Sequence, residues 1–86
     1  NLEQAFVWYE KAAQQGYRRG QTGLGIMYEK GEGVAQNLVI AYQWYEVAAV
    51  RGDVDAAKLR TALKEKLSME QLLEAEHLAQ QWLKTH

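Results

Sequence analysis

Eighty-six residues with ten basic and eleven acidic side chains carry a formal charge of −1, so there is no net electrostatic reason to bind nucleic acid or an anionic membrane. The absence of cysteine excludes a disulfide framework, a thiolate metal site and a thiol nucleophile. No apolar run approaches the roughly 20 residues of a membrane span, and the length reads as one soluble, globular unit with a small core.

Residues 1–16, NLEQAFVWYEKAAQQG, place Ala5, Trp8, Tyr9, Ala12 and Ala13 at i, i+3, i+4, i+7 and i+8, which draws one apolar stripe along a helix. Asn1 stands at its N-cap, Gln4 is positioned to close a capping box, and Gly16 stands where a left-handed C-cap belongs. The next helix opens with Tyr17, Arg18 and Arg19, where a cap and an acidic first turn are favoured. Two cations there oppose the macrodipole at about 0.3–1 kcal/mol each when exposed. A local rule broken without compensation marks a candidate functional site.

Gly20, Leu24, Met27 and Tyr28 share one face of this second helix. The glycines of GQTGLG are spaced G-x-x-G-x-G, with no preceding strand and no following Lys-Ser or Lys-Thr pair, so they allow close helix approach rather than cradle a phosphate. Gly31 and Gly33 supply the positive φ angles of a tight reversal, with Val34 plugging the core beneath. Residues 37–52, NLVIAYQWYEVAAVRG, then repeat the opening segment thirty-six residues on, with nine of sixteen positions identical. Ala41, Trp44, Tyr45, Ala48 and Ala49 repeat the stripe, and Asn37 and Gly52 repeat the caps. Such a period belongs to a helical array whose units stack to bury their apolar faces.

Beyond Gly52, Asp53 and Asp55 are N-cap candidates for a helix carrying Ala56, Leu59, Leu63 and Leu67 and running to about residue 67. Ser68 and Gln71 form an S-x-x-Q capping box, after which Leu72, Ala75, Ala79 and Trp82 make a last stripe. Residues 53–86 are predicted to form a C-terminal capping hairpin, because a terminal unit must turn one face to water.

The run LGIMYEKGEGVAQNLVIAYQWYEVAAVRG resembles one unit of the Sel1-like repeat family, relatives of the tetratricopeptide repeats. The resemblance rests on Leu24-Gly25, Tyr28, the GxGV turn at Gly31 to Val34, the A-x-x-W-Y run from Ala41, Ala48-Ala49 and Gly52, and it covers residues 1 to about 56. It implies an all-α, right-handed solenoid of antiparallel helix pairs, about five helices here, that holds other proteins together with no chemistry or cofactor of its own. Residues 1–16 are then the second helix of a truncated unit, 17–52 a complete unit and 53–86 the cap, a segment of a longer array.

Only two histidines occur, His77 and the terminal His86. Glu74 three residues before His77 does not complete a metal site, which takes three or four ligands. Glu70, Glu74 and Glu76 fall on a solvent face, so no catalysis is expected. The resemblance implies that, as in tetratricopeptide-like solenoids, the first helix of each unit lines the concave surface, so Arg18, Arg19, Gln21, Thr22, Gly25 and Glu29, followed by Lys58, Thr61 and Glu65, are predicted to line a groove. Arg18, Arg19 and Lys58 are its carboxylate-seeking contacts, which points to an acidic or C-terminal peptide of a partner protein. A second expectation is self-association, or docking to the rest of an array, through the stripe Ala5, Trp8, Tyr9 and Ala12.

Overall fold

The computed structural model describes residues 1–86 as five helices and no strand: α1 Leu2–Gln14, α2 Arg18–Lys30, α3 Leu38–Val50, α4 Val54–Lys64 and α5 Met69–Thr85. Asn1, Asn37, Asp53 and Ser68 cap α1, α3, α4 and α5, each side chain accepting the N–H of the third residue on. Ser68 and Gln71 complete a reciprocal capping box, whereas Gln4 contributes its backbone N–H and not its side chain. α4 ends three residues short of Leu67, in a tighter turn where Lys66 and Leu67 donate to the carbonyls of Leu63 and Lys64.

The two copies of the repeat end alike. Gly16 and Gly52 have φ of 92° and 100°, and the N–H groups of Tyr17 and Asp53 reach back to the carbonyls of Ala12 and Ala48. This arrangement satisfies the carbonyls that α1 and α3 leave unpaired, and it turns each chain directly into the following helix.

α2 carries the least apolar sequence of the repeat yet buries six residues, because it lies between α1 and α3 and packs on both. Small side chains make this possible. A Cβ at Gly20 would lie 2.6 Å from that of Ala12, and one at Gly25 would lie 2.6 Å from the ring of Tyr45. Tyr45 itself is fully buried, and its hydroxyl donates to Glu29 at 2.7 Å. Burial, reinforced by that bond and the carboxylate charge, holds its proton well above the ordinary tyrosine range.

Residues 53–86 depart from the regular pattern in a way the repeat register explains. Thirty-six residues after Leu24, Gly25 and Tyr28, the positions of α2 that receive α3, stand Arg60, Thr61 and Lys64. These cannot receive a helix in the same way: Arg60 pairs with Glu46 at 2.8 Å, and Thr61 and Lys64 are exposed. α5 therefore seats its stripe on α3 rather than on α4. Ala75 joins Ala41, Tyr42 and Tyr45 of α3 in a buried cluster that Leu63 completes from α4, and the Trp82 ring packs edge-on against Trp44 at 5.6 Å. The Trp82 indole N–H also donates to Gln14 at 3.1 Å, tying the last helix to the first.

Candidate functional site

α2 and α4 approach each other without packing closely, and α1 stands beside them. Between the three lies an open groove of about 770 Å³. Trp8, Tyr9 and Ala12 of α1 form one wall, Gly20, Gly23 and Ile26 of α2 the floor, and Leu59 of α4 the opposite wall. Arg19, Thr22, Asp53, Asp55 and Lys58 supply its polar groups. The side chain of Tyr9 lies over Gly23, where a β-carbon would collide with the ring.

Of the predicted groove residues, Arg19, Thr22 and Lys58 line this surface. Gln21, Gly25 and Glu29 do not, because the second packing face of α2 takes them inward. Gln21 is fully buried and donates its amide N–H to the Ala13 carbonyl at 3.1 Å. Gly25 lies beneath Tyr45, and Glu29 accepts from the Tyr45 hydroxyl. Thr61 and Glu65 are exposed on α4 outside the groove, the Thr61 hydroxyl donating back to the Ala57 carbonyl at 3.0 Å.

Arg18 has a structural task. Its guanidinium donates at 3.0 Å to the carbonyl of Arg51, the C-cap of α3, so the cation that opposes the dipole of α2 complements the negative end of α3. The unfavourable position at one helix terminus is compensated at another, so the dipole conflict by itself does not mark Arg18 as a recognition residue. No such partner engages Arg19.

Thr22 and Asp53 sit within 2.9 Å of each other, hydroxyl to carboxylate, at the base of the groove. The pair has the separation of a nucleophile and base, yet both groups are already committed. Asp53 caps α4 through the Ala56 N–H at 3.2 Å, and the Thr22 hydroxyl also faces the Arg18 carbonyl at 3.1 Å. No histidine stands by to activate the hydroxyl, the Arg19 and Lys58 of the same groove are cations that cannot take its proton, and no three His, Asp or Glu side chains converge as metal ligands would. This contact joins α4 to α2.

The predicted association stripe lies partly in the same groove. Trp8 is 76% exposed and Tyr9 41%, whereas their repeat equivalents Trp44 and Tyr45 are 4% and 0% exposed. Ala5 and Ala12 are half-buried. Residues that sequence reasoning placed in no site, Gly20, Gly23, Ile26, Asp53, Asp55 and Leu59, complete the groove. The available signal was Ile26, an apolar side chain off the Gly20, Leu24, Met27 and Tyr28 face. His77 is exposed, while the ring of His86 is not loose but stacks on Trp82 at 4.0 Å. No helix is long and apolar enough to cross a membrane.

Comparison with known proteins was consistent in kind. A Sel1 repeat model matches residues 1–17 and 18–53. The chain is 42% identical over 59 residues to the chitin synthase regulator SKT5 of Saccharomyces cerevisiae. It is 41% identical over 58 residues to chitin synthase regulatory factor 3 of Schizosaccharomyces pombe. Each alignment covers 67% of this chain but only 8% and 6% of those relatives. A solved structure of c5321, a protective antigen present in uropathogenic Escherichia coli strains and displaying an SLR fold, superposes with a TM-score of 0.95 at 34% identity. That match covers 98% of this chain and 18% of the antigen.

Proposed function

We propose a function on one established premise, that this chain belongs to the Sel1 repeat family: it is a non-catalytic interaction module that holds a segment of a partner protein in the groove between α2 and α4. The observation that carries this reading is the exposed aromatic wall of Trp8 and Tyr9 facing Ile26 and Leu59 across an open groove. Apolar surface held open and rimmed by charge is what recognition of a peptide or helix requires. The polar pair at its base, Thr22 and Asp53, serves packing and capping, which suits a scaffold rather than an enzyme. The two yeast relatives are named for regulating another enzyme, a role that fits a module acting by holding proteins.

Capture of partners by this chain tests this, comparing Trp8→Ala with Leu73→Ala. Both side chains are exposed, but only Trp8 lines the groove. The expected outcome is loss of a partner with the first variant alone; equal capture by both moves binding off the groove. A second reading, docking of α1 to another copy or another repeat, is favoured by the contrast between Trp8 and Trp44. Sedimentation that stays monomeric across a wide concentration range argues against the former.

A further inference from the structure

We propose that the occupant of the groove presents an apolar or aromatic side chain flanked by a carboxylate, a reading that rests on the groove being the binding surface. The apolar part follows from Trp8, Tyr9, Ile26 and Leu59. The carboxylate follows from what each rim charge already does.

Asp53, only 7% exposed, has both oxygens engaged, by Thr22 and by the Ala56 N–H. Arg18, beside the groove, is engaged with the Arg51 carbonyl. The chain's ion pair, Arg60 with Glu46, lies away from the groove. Arg19 and Lys58 line the groove with neither an ion-pair nor a hydrogen-bond partner, and the exposed Asp55 stands one turn before Lys58 on α4. Bonds to neutral partners leave Asp53 and Arg18 charged, so the groove and its edge hold Arg18, Arg19 and Lys58 against Asp53 and Asp55, a surplus of one cation, and of these cations Arg19 and Lys58 have unengaged donors. An anionic occupant meets a net attraction that strengthens as its apolar anchor displaces water, and a cationic one meets the reverse.

The test uses two short blocked peptides with the same Leu-Phe centre, one flanked by aspartates and the other by lysines, titrated into the chain. Tryptophan emission reads occupancy, because Trp44 and Trp82 are 4% and 8% exposed and Trp8 alone is open to solvent. Calorimetry reads affinity independently. The aspartate peptide is expected to shift emission to the blue and to bind about tenfold more tightly than the lysine peptide, an advantage that shrinks with added salt.

Reversing both cations, Arg19→Glu with Lys58→Glu, inverts the preference, while Asp55→Asn strengthens binding of the aspartate peptide by removing the competing charge. A lysine peptide that binds as well as the aspartate one, or Asp55→Asn weakening the aspartate peptide, overturns the carboxylate but leaves the groove. No emission shift with either peptide, or calorimetric affinity unchanged by Trp8→Ala, overturns the groove itself.

Discussion

Trp8 and Trp44 hold the same position of the repeated helix, so replacing each by alanine measures what the surrounding array contributes to one side chain. Trp44 is 4% exposed and packs among Ala13, Leu24, Val47 and Trp82. A buried aromatic of this size removes roughly 150–250 Å² from water. At about 25 cal/mol per Å² and with a cavity left behind, Trp44→Ala is expected to cost about 3–5 kcal/mol. Trp8 is 76% exposed and keeps only a small part of that contact, so Trp8→Ala is expected to cost about 1 kcal/mol or less. A domain of this size has a total stability of roughly 4–13 kcal/mol, so the first substitution removes a large share of it and the second does not. Thermal unfolding followed by circular dichroism should show a fall of roughly 15–30 °C for Trp44→Ala against less than about 8 °C for Trp8→Ala. Urea unfolding with an unchanged slope checks that both variants still start from the same fold. Equal losses, or a larger loss at Trp8, would refute the inference that α1 lacks the cover α3 has.

Three further outcomes follow from the packing. Gly25→Ala gains about 1 kcal/mol of helix propensity but sets a methyl 2.6 Å from the fully buried Tyr45 ring, so urea unfolding should show net destabilisation, while Gly23→Ala, opposite the exposed and movable Tyr9, should be near neutral or stabilising. Asp53→Ala removes both the cap of α4 and the acceptor of Thr22, with an expected loss of about 1–2 kcal/mol in the same assay, and Asp53→Asn should retain most of it. The hydroxyls of Tyr28, Tyr42 and Tyr45 are all held above the ordinary value of about 10, chiefly by burial, so the unfolded chain gives up protons that the folded chain keeps: stability should be level up to about pH 10 and fall beyond it, and Tyr45→Phe should blunt that fall.

The helices and their ends were legible because their signals are local. Asn1, Asn37, Asp53 and Ser68 cap through contacts three residues away, and Gly16 and Gly52 mark the reversals with their positive φ. The stripe of Trp44, Tyr45 and Ala48 is buried as its periodicity requires. The groove was less legible because a single-face picture of α2 assigns every residue off the Leu24 face to solvent. α2 has two packing faces, so Gln21 and Gly25 turn inward and Glu29 is held by Tyr45. Polar side chains that bond across helices look the same in a sequence as polar side chains that bond to water. Likewise, the seat of α5 on α3 depends on a comparison thirty-six residues apart, where Arg60, Thr61 and Lys64 replace the residues that would have received it.

The two faces that sequence reasoning kept separate, the groove and the open side of α1, share Trp8, Tyr9 and Ala12, and this makes them alternatives rather than independent sites. Tyr45 lies on Gly25 of the helix before it, whereas Tyr9 lies on Gly23 of the helix after it. A helix standing before α1 as α2 stands before α3 would compete with Gly23 for the Tyr9 ring and would cover Trp8, taking over one wall of the groove. Affinity for a groove peptide should therefore change when α1 is covered, and in a defined direction: covering Trp8 removes apolar contact and weakens binding, while the rim of Arg19, Asp55 and Lys58, contributed by α2 and α4, is left in place. The charge preference should thus survive in a longer array even where the absolute affinity falls. Comparing the aspartate and lysine peptides on this chain and on one extended by a preceding repeat separates the contribution of the wall from that of the rim.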